Sequence, residues 1–88
     1  MTAKFNLGQI LITPAANEAL DKVAVTIALK RHANGDYGLV SDADKEANDE
    51  ALAIGDRILS AYESRGVRYW IITEADRSTT TILLPDEY

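Results

Sequence analysis

From Leu7 to Thr13 the chain reads Leu-Gly-Gln-Ile-Leu-Ile-Thr, a short apolar run rich in branched residues, which predicts a first strand. Apolar side chains on both of its faces point to a strand that is interior to a sheet or covered on both sides. The period then changes. Leu20, Val23, Ala24, Ile27 and Ala28 recur at helical spacing, with Ala16 one turn earlier, while Glu18, Asp21, Lys22, Lys30 and Arg31 fall opposite them. Thr13 suits an N-cap and Pro14 the first helical position, where its missing donor costs nothing. Asn34-Gly35 supplies the stop. The spacing therefore predicts helix one over 14–33.

Ser41 is the next N-cap candidate, followed by acidic residues that favour a helix N-terminus. Ala43, Ala47, Ala51 and Ile54 form a narrow stripe, so helix two spans about 42–54 and sits close to its support, with Gly55 as its terminator. Three β-rich runs follow. Arg57 to Glu63 and Val67 to Thr73 flank Ser64-Arg65-Gly66, a short hairpin loop, and Thr79 to Leu84 closes the series before Pro85. Along the middle run, Val67, Tyr69, Ile71 and Thr73 share one face, and Arg68, Trp70, Ile72 and Glu74 the other. The order β-α-α-β-β-β predicts an α+β fold of two layers. Its sheet is a three-stranded antiparallel meander with the N-terminal strand docking at an edge, and the two helices cover one face.

Length and composition narrow this picture. Eighty-eight residues make one domain, 1–88, which buries roughly 60–65% of its unfolded surface. With no cysteine there are no disulfides, thiolate ligands or cysteine nucleophile, which fits a reducing compartment. The opening Met1-Thr-Ala-Lys-Phe-Asn lacks the apolar core of a signal peptide, and no apolar run approaches the ~20 residues of a spanning helix. A cytoplasmic protein without a membrane partner is the expectation.

Charge is placed unevenly. Residues 36–56 carry Asp36, Asp42, Asp44, Glu46, Asp49, Glu50 and Asp56 against Lys45 alone, a local net charge of −6 within a chain of net −5. A quarter of the sequence thus holds all of the net negative charge. Direct nucleic-acid binding is disfavoured, because neutralising phosphates needs a basic surface.

Trp70-Ile-Ile-Thr-Glu-Ala-Asp-Arg-Ser-Thr-Thr-Thr-Ile-Leu-Leu-Pro-Asp-Glu-Tyr88 resembles the closing tract of a family of short acidic proteins encoded on bacterial plasmids, phages and other mobile elements. The similarity extends upstream through Gly35-Asp36-Tyr37-Gly38, Asp44-Lys45, Asn48, Gly55, Arg57 and Leu59 to Tyr62, about 55 residues in all. Members are labelled as plasmid-related or as restriction-modification subunits. A methyltransferase is excluded here, since the chain has neither a glycine-rich cofactor loop after a strand nor room for that fold. What the resemblance implies is genomic company with inhibitors of host defence, CRISPR or restriction, an association rather than a chemistry.

The alternation Asp42-x-Asp44-x-Glu46-x-Asn48-x-Glu50 imitates a calcium loop, but Ala47 replaces the obligatory glycine and Ala53 the bidentate glutamate. His32 is the lone histidine, so a histidine metal cluster is impossible, and its place near the end of helix one predicts a surface residue facing the helix dipole. Glu74 and Asp76 sit beside Arg77 at a hairpin tip. They are expected to be solvated and bridged by Arg77, with Asp76 and Ser78 or Thr79 closing the turn. Trp70 and Tyr69 are residue types enriched at interface hot spots, although Trp70 equally suits a core anchor.

The functional expectation is a non-enzymatic binding protein with no cofactor and no metal. Asp42, Asp44, Glu46, Asp49 and Glu50 would present carboxylates to a basic nucleic-acid-binding host protein, imitating DNA phosphates, with Tyr69 and Trp70 adding affinity. A second reading is a structural or regulatory adaptor forming a homodimer through Trp70 or the last strand. A hydrolase built on Glu74 and Asp76 ranks last.

Overall fold

The computed structural model describes residues 3–88; Met1 and Thr2, which open the stretch tested for a signal peptide, lie outside the described residues. Strand β1 (Gln9–Ile12) leads into helices α1 (Pro14–Ala19), α2 (Lys22–Ala33) and α3 (Asp42–Ile54), then strands β2 (Ile58–Ser64), β3 (Val67–Thr73) and β4 (Thr79–Leu83) and a 3-10 turn, Pro85–Glu87. The fold is α+β. Its four-stranded mixed sheet has the order β1-β4-β3-β2, with β4-β3-β2 an antiparallel meander and β1 parallel to β4. No described helix is long and apolar enough to cross a membrane.

The β2–β3 connection is the hairpin the sequence predicts. Ser64 pairs with Val67 across a two-residue loop, and Arg65 and Gly66 both take positive φ, the signature of the turn that matches strand twist. Ser41 caps α3 by accepting from the Asp44 N–H at 3.1 Å, and Gly55 ends it in the left-handed region.

Helix one differs from expectation in a way that reorders the core. It breaks at Leu20, whose backbone is extended, and α2 restarts with Asp21 as N-cap, accepting from the Ala24 N–H at 3.2 Å. An aspartate that can cap competes with helix continuation. The break resets the helical phase, so α2 buries Val25, Ala28, His32 and Ala33, whereas Val23 and Ile27 of the expected stripe are exposed. Helix α3 is rotated as well. Asn48 and Ala51 are buried, while Ala43, Ala47 and Ile54 lie on the surface.

One main core lies between the helices and one sheet face, where Ala16, Leu20, Val25 and Ala28 meet Tyr62, Tyr69, Ile71 and Ile82. A smaller cluster of Tyr37, Ala51 and Ile58 sits under α3. The opposite face is covered in part by the C-terminal residues. Tyr88 packs edge-on against Trp70 at 5.6 Å between centroids, Arg57 donates to the Tyr88 hydroxyl, and Glu87 accepts from the Thr13 hydroxyl at 2.7 Å.

The outer edge of β2 is closed by other parts of the chain. The Asn48 amide donates to Leu59 O at 2.8 Å and accepts from Leu59 N at 3.1 Å, and Tyr37 and Leu39 take up the N–H and C=O of Ala61. A buried side-chain amide thus does what a further strand would do, and it fixes the height of α3 along the edge. Asn48→Ala is expected to lose about 2 kcal/mol of stability in urea titration, since it removes both bonds and strands two backbone groups. A loss no larger than that of an exposed-alanine substitution on the same helix would contradict this role.

Candidate binding face and buried polar centre

Helix α3 places its acids unequally. At about 100° per residue, Asp42, Glu46, Asp49 and Glu50 fall within an arc of about 100°, opposite buried Asn48 and Ala51. Asp44 lies apart, in the first turn, where its charge complements the helix dipole. All five carboxylates are exposed, and none enters an ion pair among the described residues. Ala43, Ala47 and the largely exposed Ile54 form an apolar shoulder beside the acids. The calcium-like alternation cannot converge on an ion, because the helix turns Asn48 inward against Leu59.

Tyr69 is not part of any surface: it is 2% exposed and packs on Tyr62 in the main core, 5.8 Å between centroids. Its face of β3 is the one the helices cover. Trp70, on the other face, is half-buried beneath Tyr88. The expected pairing of Tyr69 with Trp70 at one interface therefore fails on strand alternation. Strand β4 is equally unable to pair with a second copy, as β1 and β3 occupy both of its edges.

At the hairpin tip the expected bridge is absent. Arg77, with φ +61°, turns its guanidinium onto carbonyls: Asp56 O at 2.6 Å, Glu74 O at 3.1 Å and Ala51 O at 3.2 Å. It caps the C-terminal end of α3, where a cation faces the negative pole of the helix. Glu74 pairs instead with Arg57 at 3.2 Å. Asp76 does close the turn, accepting from Ser78 N at 3.0 Å and Ser78 Oγ at 2.6 Å, and these bonds hold its carboxyl below the usual aspartate range. Separately engaged in this way, Glu74 and Asp76 do not form an acid–base pair with divergent environments.

The residues that sequence reasoning missed are buried. His32, expected on the surface, has no exposed area and joins Ser60, Thr73 and Thr80 in a continuous polar chain. Ser60 Oγ lies 2.5 Å from His32 Nδ1, Thr73 Oγ1 lies 2.8 Å from Nε2, Thr73 and Thr80 hydroxyls are 2.7 Å apart, and Thr80 Oγ1 donates to Leu7 O at 2.6 Å. The terminal carbonyl sets the direction of the whole series. Thr80 spends its proton on Leu7, so Thr73 donates to Thr80. His32 must then donate from Nε2 to Thr73. Burial keeps a second proton off the ring at pH 7, so the imidazole is neutral with its proton on Nε2, and Nδ1 is left as the acceptor from Ser60. Phe5 and Tyr37 stack edge-on against the ring at 5.2 and 6.5 Å, and Arg77 lies over Phe5. Burial, with a further push from the Arg77 charge, lowers the His32 pKa to about 4.

A hydroxyl beside an imidazole resembles a nucleophile and its base. Here Ser60, His32, Thr73 and Thr80 are all sealed from solvent, and the second imidazole nitrogen meets a hydroxyl rather than an orienting carboxylate. With no route for a substrate to Ser60, this chain fixes the relation of α2 to three strands and to the N-terminal segment.

No protein-family model matches the chain, and no curated protein or solved structure matches it either.

Proposed function

We propose that this chain is a small non-enzymatic binding protein that engages a basic nucleic-acid-binding host protein through the outer face of α3. On the resemblance to mobile-element proteins, its target is a host-defence protein of the CRISPR or restriction type. The observation that carries the reading is the stripe Asp42, Glu46, Asp49 and Glu50. It is exposed, free of ion pairs among the described residues, and bordered by an apolar shoulder that a partner can desolvate. Unpaired carboxylates steer a basic partner over distances beyond contact, and they compete for the same groove that receives DNA phosphates. The rigid docking of the helix, through Asn48 and Arg77, supports the same reading, because a preordered face loses little entropy on binding.

The test is capture from bacterial lysate on the immobilised chain. Asp42→Lys/Glu46→Lys/Asp49→Lys is expected to weaken capture on the order of 100-fold, as three repulsive contacts replace three attractive ones. These positions are exposed, so the circular dichroism spectrum should not change. Capture unaffected by the reversal would contradict the role of α3.

A further inference from the structure

We propose that β1 is a pairing edge through which two copies of this chain join their sheets, antiparallel and centred on Leu11. Along β1 the ladder to β4 uses alternate residues: Gln9 N donates to Ser78 O at 2.9 Å and Thr13 N to Ile82 O at 3.1 Å. By the same alternation the N–H and C=O groups of Ile10 and Ile12 point away from β4, at the open margin of the sheet. The other margin, β2, is closed by Asn48, Tyr37 and Leu39. The molecule therefore blocks one edge and leaves the other without a charge, a bulge or a proline between Gln9 and Thr13.

The exposed side chains agree. All four β1 residues are exposed, and Ile10, Leu11 and Ile12 contribute three of the eight exposed large hydrophobic residues described. Gly8, at φ +66°, and Pro14 bound the open stretch on either side, so the edge is short and of defined register.

A second copy fits this edge better than an unrelated strand because the edge is complementary to itself. With Leu11 opposite Leu11 across a twofold axis, Ile10 of one copy stands opposite Ile12 of the other. Both residues point their backbone groups outward, so each such pair exchanges two hydrogen bonds. Beside the strand, the Glu87 carboxylate is held on the Thr13 hydroxyl, at the end of β1 and two residues from the Leu11 axis. No ionisable side chain lies between Gln9 and Thr13, and α3 flanks β2, at the far margin of the sheet. In the joined eight-stranded sheet the two β2 strands stand roughly 34 Å apart, seven strand spacings, several times the ~8 Å Debye length at physiological salt. The dimer carries its two acidic faces at opposite ends.

The absence of cysteine makes the register directly testable. Leu11→Cys introduces the sole thiol, and the twofold brings it beside its own copy at a Cα separation of about 4.5 Å, within disulfide range. Under mild oxidation, Leu11→Cys is expected to form covalent dimer at least ~10-fold faster than Ile54→Cys, an exposed control on α3, because pairing holds the thiols at millimolar effective concentration. Light scattering should give twice the chain mass for the wild type at ~200 µM, and the monomer mass for Leu11→Lys, which sets like charges opposite each other at an exposed site. A monomeric wild type, a dimer that persists in Leu11→Lys, or Leu11→Cys cross-linking no faster than the control would each overturn the proposal. If Leu11→Lys fails to fold, the cross-linking comparison decides alone.

Discussion

Replacing His32 by leucine is expected to cost roughly 3 kcal/mol at pH 7 and close to nothing, relative to wild type, at pH 4. The first figure comes from shape mismatch and from the unpaired Ser60 hydroxyl left behind. For a chain of this size it is a large part of the roughly 5–10 kcal/mol that holds the fold. The second follows from proton linkage. Imidazole titrates near 6.5 in the unfolded chain and at about 4 in the fold. Because the folded value is the lower one, the unfolded state binds the proton first. The associated stability is complete above pH 6.5 and is lost as the pH falls towards 4, amounting to about 3 kcal/mol over that window. The leucine variant has no such group, so comparing the two proteins isolates the imidazole. Chemical denaturation of each at pH 7 and pH 4 gives the answer. A stability gap that stays constant between the two pH values would show that the His32 pKa is the same in the folded and the unfolded chain.

Gly38→Ala is expected to cost 3 kcal/mol or more, and Gly55→Ala only about 1. Both glycines have positive φ, +71° and +77°, so both substitutions bear the same left-handed backbone penalty of roughly 1–2 kcal/mol. They differ in what a methyl group would meet. At Gly55 nothing lies within 4 Å, whereas at Gly38 it would stand 2.1 Å from Ala61 O and 2.6 Å from the Tyr62 ring. The Ala61 carbonyl is held by the Leu39 N–H at 2.7 Å and Tyr62 is buried, so neither can withdraw. Relief requires residues 37–39 to leave the β2 edge, unpairing Ala61 and reopening that margin. Equal midpoints for the two variants in urea would contradict the close approach.

The strands and most caps were legible from pattern alone. Alternation in β2–β4, the Arg65-Gly66 turn, Ser41, Gly55 and Asp76 follow from local chemistry that tertiary contacts do not override. The helices were legible as elements but not in phase. Asp21 could be read as an outward charge in a continuous helix or as a cap, and only packing chooses between them. Once it caps, Val23 and Ile27 rotate outward and His32 inward. A signal for the buried centre was present in the strands. Ser60, Thr73 and Thr80 share the parity of Tyr62, Ile71 and Ile82, so three hydroxyls were committed to the covered face and needed a polar partner, and His32 follows Val25 and Ala28 at helical spacing. The Asn48 contact had no such signal, because an asparagine on an acidic helix looks like any solvated residue. Arg77 likewise sat between two carboxylates in sequence, and only the approach of α3 offered it carbonyls instead.

These corrections confine the proposed binding surface to α3. With Tyr69 in the core and Trp70 beneath Tyr88, the acidic stripe and its alanine shoulder remain as the contiguous face most suited to a basic partner. Its most direct test is competition. A host protein captured on the immobilised chain is challenged with a 20-bp DNA duplex and, separately, with salt raised from ~50 to ~200 mM. If α3 occupies a DNA-binding groove, the duplex displaces the captured protein and the bound fraction falls steeply with salt, by 10-fold or more, as in other contacts dominated by charge. Capture that ignores both the duplex and the salt would contradict the account.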